Sequence, residues 1–136
     1  MDGGDAELRI VAPDGVELSG QSAGEGQAAV LLLHGLTATR RYVVMGSRTL
    51  ERSGHRVAAY DARGHGRSQP AHSREYGYEH LAADAVAVLD AAEMERAVFA
   101  GASMGAHTAI GVALAHPERV AGLVLVTPAY IPGTER

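Results

Sequence analysis

Ser103 stands between two glycines, Gly101 and Gly105, in the stretch FAGASMGAH over residues 99–107. A hydroxyl placed this way can act as a nucleophile. A sharp strand-to-helix corner exposes the side chain, and small neighbours at −2 and +2 let the backbone turn there. A helix starting at the corner would aim its free N–H groups and the positive end of its dipole at the same point. The competing reading is an N-cap serine with glycine neighbours, which does no chemistry. With 17 glycines in the chain, the G-x-S-x-G spacing alone carries little weight. Its place carries the reading, after the apolar run 96–100 and before a helix-like run. A second stretch, LLLHGLT over 31–37, also follows a buried-strand pattern. If the two strands are neighbours, the Leu36 N–H joins that of Met104, the residue after the serine, in a two-donor oxyanion hole.

A serine nucleophile needs a base, and the chain has seven histidines. His34 opens the oxyanion loop, His55 and His116 precede strands at the far end of the sheet, and His80 opens a helix. His65 and His72 lie in a long polar loop. His107 follows Ser103 by one helical turn but is fixed to that helix, with no acid behind it. None has the reach and orientation that a general base requires. There is no HxxxH, no HxH and no cysteine, so no metal site is expected.

The elements that must position these residues follow from period and punctuation. ELRIVA (7–12) and VELSGQ (16–21) flank the turn tripeptide PDG and predict a hairpin. AAVLLL (28–33) is a continuous apolar run, as expected of a strand buried on both faces. Residues 40–53 are expected to be helical, stopping at Ser53-Gly54. RVAAY (56–60), RAVFA (96–100) and VAGLVLVT (120–127) are the further strands. A helix over 78–92 places Leu81, Ala85, Val88 and Leu89 on one face, and a small-residue helix runs from about 103 to 115. A hairpin followed by alternating strands and helices predicts an α/β protein with a mostly parallel sheet.

Composition narrows the function. The 136 residues carry a net charge of −4, and all 12 basic residues are arginine, scattered among acids. No basic stripe suits nucleic acid and no polybasic patch suits a membrane. Without lysine there is no phosphate-binding P-loop, and without cysteine no disulfide or thiolate catalysis. The acidic start MDGGDAELRI lacks the layout of a secretory signal, and no apolar run approaches the roughly 20 residues of a membrane span. A soluble cytoplasmic protein is the expectation.

Taken together and in this order, APDGVELSG, LLLHGLT, YDARGHGRSQP and GASMGAHTAIGVALAHPERVAGLVLVTPA resemble the α/β-hydrolase superfamily over nearly all of the chain. The resemblance implies the N-terminal part of that fold: an antiparallel hairpin, then parallel strands with helices on both faces. It implies Ser103 as nucleophile, Leu36 and Met104 as oxyanion donors, and Asp61, Gly64 and Gly66 as residues shaping a turn. It also implies no cofactor and a small-molecule acyl substrate, in the esterase or lipase-like branch. Serine rather than aspartate argues against the dehalogenase and epoxide-hydrolase branches, while acyltransfer or perhydrolase chemistry stays open. In that family the triad acid and histidine come after later strands. This chain reads Thr127, Pro128, Ala129, Tyr130, Ile131 after its sixth strand, with Glu135 near its end. Residues 1–136 are therefore expected to be a partial domain, truncated after the sixth strand and inactive alone. A separate C-terminal half, or another partner, is expected to cover the apolar strand 120–127. Two other classes compete: a non-catalytic hydrolase-fold module that binds a ligand, and a nucleotide-binding α/β domain. Against the second, no strand is followed by G-x-G-x-x-G.

Overall fold

The computed structural model describes residues 5–36, 38–72 and 76–126. The chain opens with the hairpin β1 (Ala6–Val11) and β2 (Glu17–Ala23), paired so that Ile10 faces Leu18. Its PDG turn closes through Ala12 N–H to Val16 O at 2.9 Å and Gly15 N–H to Ala12 O at 2.8 Å. Strands β3 (Ala28–Leu33), β4 (His55–Tyr60), β5 (Ala97–Ala102) and β6 (Val120–Val126) follow. The sheet order is β1-β2-β4-β3-β5-β6. β1, β2 and β4 pair antiparallel, whereas β4, β3, β5 and β6 run parallel. β3 is central, and all of it after Ala28 is buried, which accounts for its unbroken apolar sequence.

Helices α2 (Tyr78–Ala91) and α3 (Met104–Ala115) pack on one face of this sheet. The stripe Leu81, Ala85, Val88 and Leu89 turns inward and joins Leu31, Leu33, Tyr60 and Phe99 in the main core. α3 buries Gly105, Ala106, Ala109 and Val112. Small side chains on that face let the helix axis approach the strands closely. Each Leu or Phe fully buried here contributes about 1.5–3 kcal/mol of transfer free energy.

Among the described residues the opposite face is thinly covered, and here one expectation is corrected. Residues 40–53 do not form one helix. They make a 3₁₀ turn at Tyr42–Val44 and a single-turn helix, α1 (Thr49–Arg52). Met45 at φ 50° and Gly46 at φ 80° turn the chain out of helical geometry between them. The two adjacent β-branched residues Val43 and Val44 also resist a long helix. Val43, Val44 and Leu50 pack on Val30, Leu32, Val57, Ala59 and Ala100, forming a second, smaller cluster. Helical cover thus exists on both faces but is markedly unequal. Among the described residues, no helix is long and apolar enough to cross a membrane.

Candidate active site

β3 and β5 are hydrogen-bonded neighbours, with Leu33 opposite Gly101, so the segments that leave their ends emerge side by side. At the end of β5 the chain turns within one residue. Ser103 sits at φ 53°, ψ −114° and α3 begins at Met104. This is not N-cap geometry, since an N-cap residue keeps β-region dihedrals and its side chain bonds back to the helix. Ser103 makes no such capping hydrogen bond. Its own carbonyl accepts from Ala106 and His107 N–H at 3.0 and 3.2 Å, and its N–H donates to Val126 O at 3.1 Å.

The flanking glycines are required by close approach. A Cβ on Gly105 would collide with Leu33 O and lie 2.8 Å from His34 O; one on Gly101 would meet the Gly105 carbonyl. The second loop lies against the corner. A Cβ on Gly35 would sit 3.2 Å from both Ser103 Cβ and Ala102 O. Leu36 follows directly, with its side chain exposed. Met104 is the first helical residue, so its N–H has no intrahelical acceptor. The structure therefore brings the Ser103 corner and the loop carrying Leu36 together. Behind them remains a cavity of only about 10 Å³, lined in part by Leu33, His34, Met104 and Thr108. That is room for a single water at most.

The histidines have other partners. His34 is buried, its Nδ1–H donating to Gly35 O at 2.7 Å while Nε2 accepts from Ala62 N–H at 2.9 Å. Burial holds its pKa below the ordinary imidazole value, so it is a neutral strut between two loops. His55, His65 and His72 bond to the backbone carbonyls of Leu50, Arg63 and Asp14. His107 stacks obliquely on Tyr78 at 5.8 Å between ring centres. His80 and His116 lie beside exposed or half-exposed acids. The positions Thr127 to Ile131, and Glu135, lie outside the described residues.

A family model for the alpha/beta hydrolase fold matches residues 28–135. The chain belongs to the alpha/beta hydrolase family. Over 110 residues it is 40% identical to a protein of Variovorax paradoxus named for carbamate hydrolysis, covering 81% of this chain and 40% of that one. Over 129 residues it is 35% identical to epoxide hydrolase A of Mycobacterium tuberculosis, covering 91% of this chain and 39% of that one. Among solved structures, an esterase from Exiguobacterium antarcticum superposes with a TM-score of 0.83 at 28% identity, over 91% of this chain and 46% of the esterase. The chain thus spans about 40% of the length of these two curated relatives.

Two charged clusters brace the loops around this corner. Asp61, at the end of β4, accepts from Arg40 N–H at 2.9 Å, the Arg40 guanidinium at 2.9 Å and Arg67 N–H at 3.1 Å. Burial alone would raise its pKa; these donors outweigh it and hold the carboxyl below its ordinary value. Asp61 thus ties the β3 loop to the β4 loop, consistent with a role in shaping that turn. Arg63 is 1% exposed and forks onto Asp84 of α2 through two bonds of 2.7 Å. It also bonds Asp14 of the hairpin turn at 2.9 Å. The partners Arg40, Arg63 and Asp84 were not legible as a network. One signal was present: Asp84 follows Leu81 by three residues and precedes Val88 by four, inside the apolar stripe. A carboxylate buried there requires a cation.

Proposed function

We propose that this chain is the nucleophile-bearing portion of a serine hydrolase acting on an ester-type bond: a carboxylester, thioester or related acyl substrate. The observation that carries the reading is Ser103 at φ 53° on the strand-to-helix corner, its side chain not spent on capping the helix. A strained conformation of this kind persists where the surrounding structure imposes it, and such positions cluster at active sites. Ser103 Oγ attacks the substrate carbonyl carbon, and the resulting oxyanion is held by the N–H groups of Leu36 and Met104. The hydroxyl proton passes to a histidine that these 136 residues do not supply, itself oriented by an acid. The leaving group departs with that proton, and water then hydrolyses the acyl-serine. Likeness to an epoxide hydrolase does not transfer that activity, since serine here takes the place where that branch of the resemblance expects aspartate.

A fluorophosphonate probe tests the assignment in two arms. The chain alone is expected to label no better than Ser103→Ala, because no described histidine is bonded to the serine. Mixed with the C-terminal portion of the Exiguobacterium esterase, it is expected to label in a Ser103-dependent way. Ser103-dependent labelling of the chain alone would place the base within these 136 residues. Background labelling in both arms favours the second reading, a hydrolase-fold module that binds without catalysis.

A further inference from the structure

The loop that leaves β3 beside the Ser103 corner is fastened at two points. At its start, His34 Nε2 accepts from Ala62 N–H at 2.9 Å. At its far end, Arg40 meets both oxygens of Asp61, one through its own backbone N–H at 2.9 Å and the other through Nη2 at 2.9 Å. Asp61 and Ala62 are the two residues directly after β4. The Arg40 guanidinium reaches further. Nη2 also donates to Ser19 Oγ at 2.7 Å, and Nη1 to Gln21 Oε1 at 3.4 Å, both on β2. The side chains of Arg40 and Asp61 are only 14% and 3% exposed. Leu36 lies between the two fastenings and is 66% exposed, so burial of its own side chain does not fix the backbone there.

We infer that Arg40 is a positioning residue: by fastening this loop to the end of β4 and to the hairpin strand β2, it sets where the Leu36 N–H meets a substrate oxyanion. The oxyanion part rests on the hydrolase reading above, and the fastening rests on the bonds just described. Donors to an oxyanion act best when held in place before the charge develops. An error of about 1 Å in such placement can cost about a hundredfold in rate. A loop fastened at one end has that freedom, and one fastened at both ends does not. Neutralising Asp61 would be a simpler use for Arg40, but it accounts for only one of the contacts the guanidinium makes. Asp61 also accepts from the backbone N–H groups of Arg40 and Arg67. Lysine would bring the same charge to Asp61, yet a single ammonium does not reproduce a planar fork spread over Asp61, Ser19 and Gln21.

Two measurements on Arg40→Met, Arg40→Lys and Ser19→Ala test this. In the free full chain, the backbone N–H order parameter of Leu36 is expected to fall from about 0.85 toward about 0.6 in Arg40→Met, with the β3 amides unchanged. The second measurement uses the chain mixed with the C-terminal portion of the Exiguobacterium esterase. There the maximal rate of fluorophosphonate labelling is expected to fall at least about tenfold in Arg40→Met and by a smaller factor in the other two. The half-saturating probe concentration should stay the same, because the loss is in the reacting state and not in probe binding. Val88→Ala, in the buried stripe of α2, should lower the urea midpoint and move neither readout, which separates positioning from stability. A Leu36 order parameter in Arg40→Met equal to the parent's overturns the proposal. So does Arg40→Lys labelling as fast as the parent, which would leave neutralisation of Asp61 as the whole role of the arginine. If the parent itself does not label, the hydrolase reading fails and the oxyanion role falls with it, while the order parameter still decides whether Arg40 holds the loop.

Discussion

At the scale of single residues, the corner at position 103 is held against its own preference. A non-glycine residue at φ 53°, ψ −114° costs on the order of 1–3 kcal/mol. Ser103→Gly should therefore raise stability by about 1 kcal/mol, net of the greater entropy of an unfolded glycine, when read from urea unfolding. Gly105→Ala should do the reverse and lose about 3 kcal/mol, because its methyl would strike the Leu33 carbonyl and no flexible side chain can yield. His34 adds a pH dependence with a definite sign. Burial lowers its folded-state pKa, so the unfolded chain binds a proton more readily. Its contribution is then present above the ordinary imidazole range and is lost as pH falls through the folded value. The urea midpoint should drop between about pH 7 and about pH 5, and drop less in His34→Gln. The glycine spacing, the His-Gly pair and the place of Ser103 were all readable beforehand, because each is a local demand on backbone shape. The tautomer and bonds of His34 were not, since Ala62, which donates to it, belongs to a different loop.

At the scale of elements, α2 is tied to the rest of the molecule by a buried ion pair as well as by its apolar stripe. Arg63→Met strands the Asp84 carboxylate in the core and should cost about 3–5 kcal/mol in urea unfolding; adding Asp84→Leu should recover much of that loss. A double variant no better than Arg63→Met would show that the pair is not the reason the arginine is buried. The parallel strands were legible because short, mostly apolar runs bounded by polar turns have few other uses, and the hairpin was legible through its PDG turn. α2 and α3 were legible for the same kind of reason, through period and small residues. The segment 40–53 was not. Its apolar side chains Val43, Val44 and Leu50 do meet one cluster, yet they reach it from a 3₁₀ turn and a separate helical turn. Side-chain pattern recorded the shared destination and missed the break at Met45 and Gly46.

At the scale of the whole molecule, the two faces of the sheet have different standing. One is closed by α2 and α3, and the other is, among the described residues, left mostly open from β3 to β6. Amide exchange in the free chain should follow that asymmetry: β3 amides near the global unfolding limit, and β6 amides far faster through local opening. Equal rates for the two strands would contradict it. The apolar character of 120–126 was visible in the sequence. That both its faces stay partly exposed was not, because exposure depends on what packs beside a strand.

The sheet order has one more consequence, and it concerns time. The loops carrying residues 36 and 104 come from opposite halves of the polypeptide, and they emerge side by side because β3 lies between β4 and β5 and pairs with both. That pairing closes a long loop, a step that nascent chains complete slowly. No earlier folding species brings these two loops side by side, so the proposed oxyanion binding should arrive together with native tertiary structure.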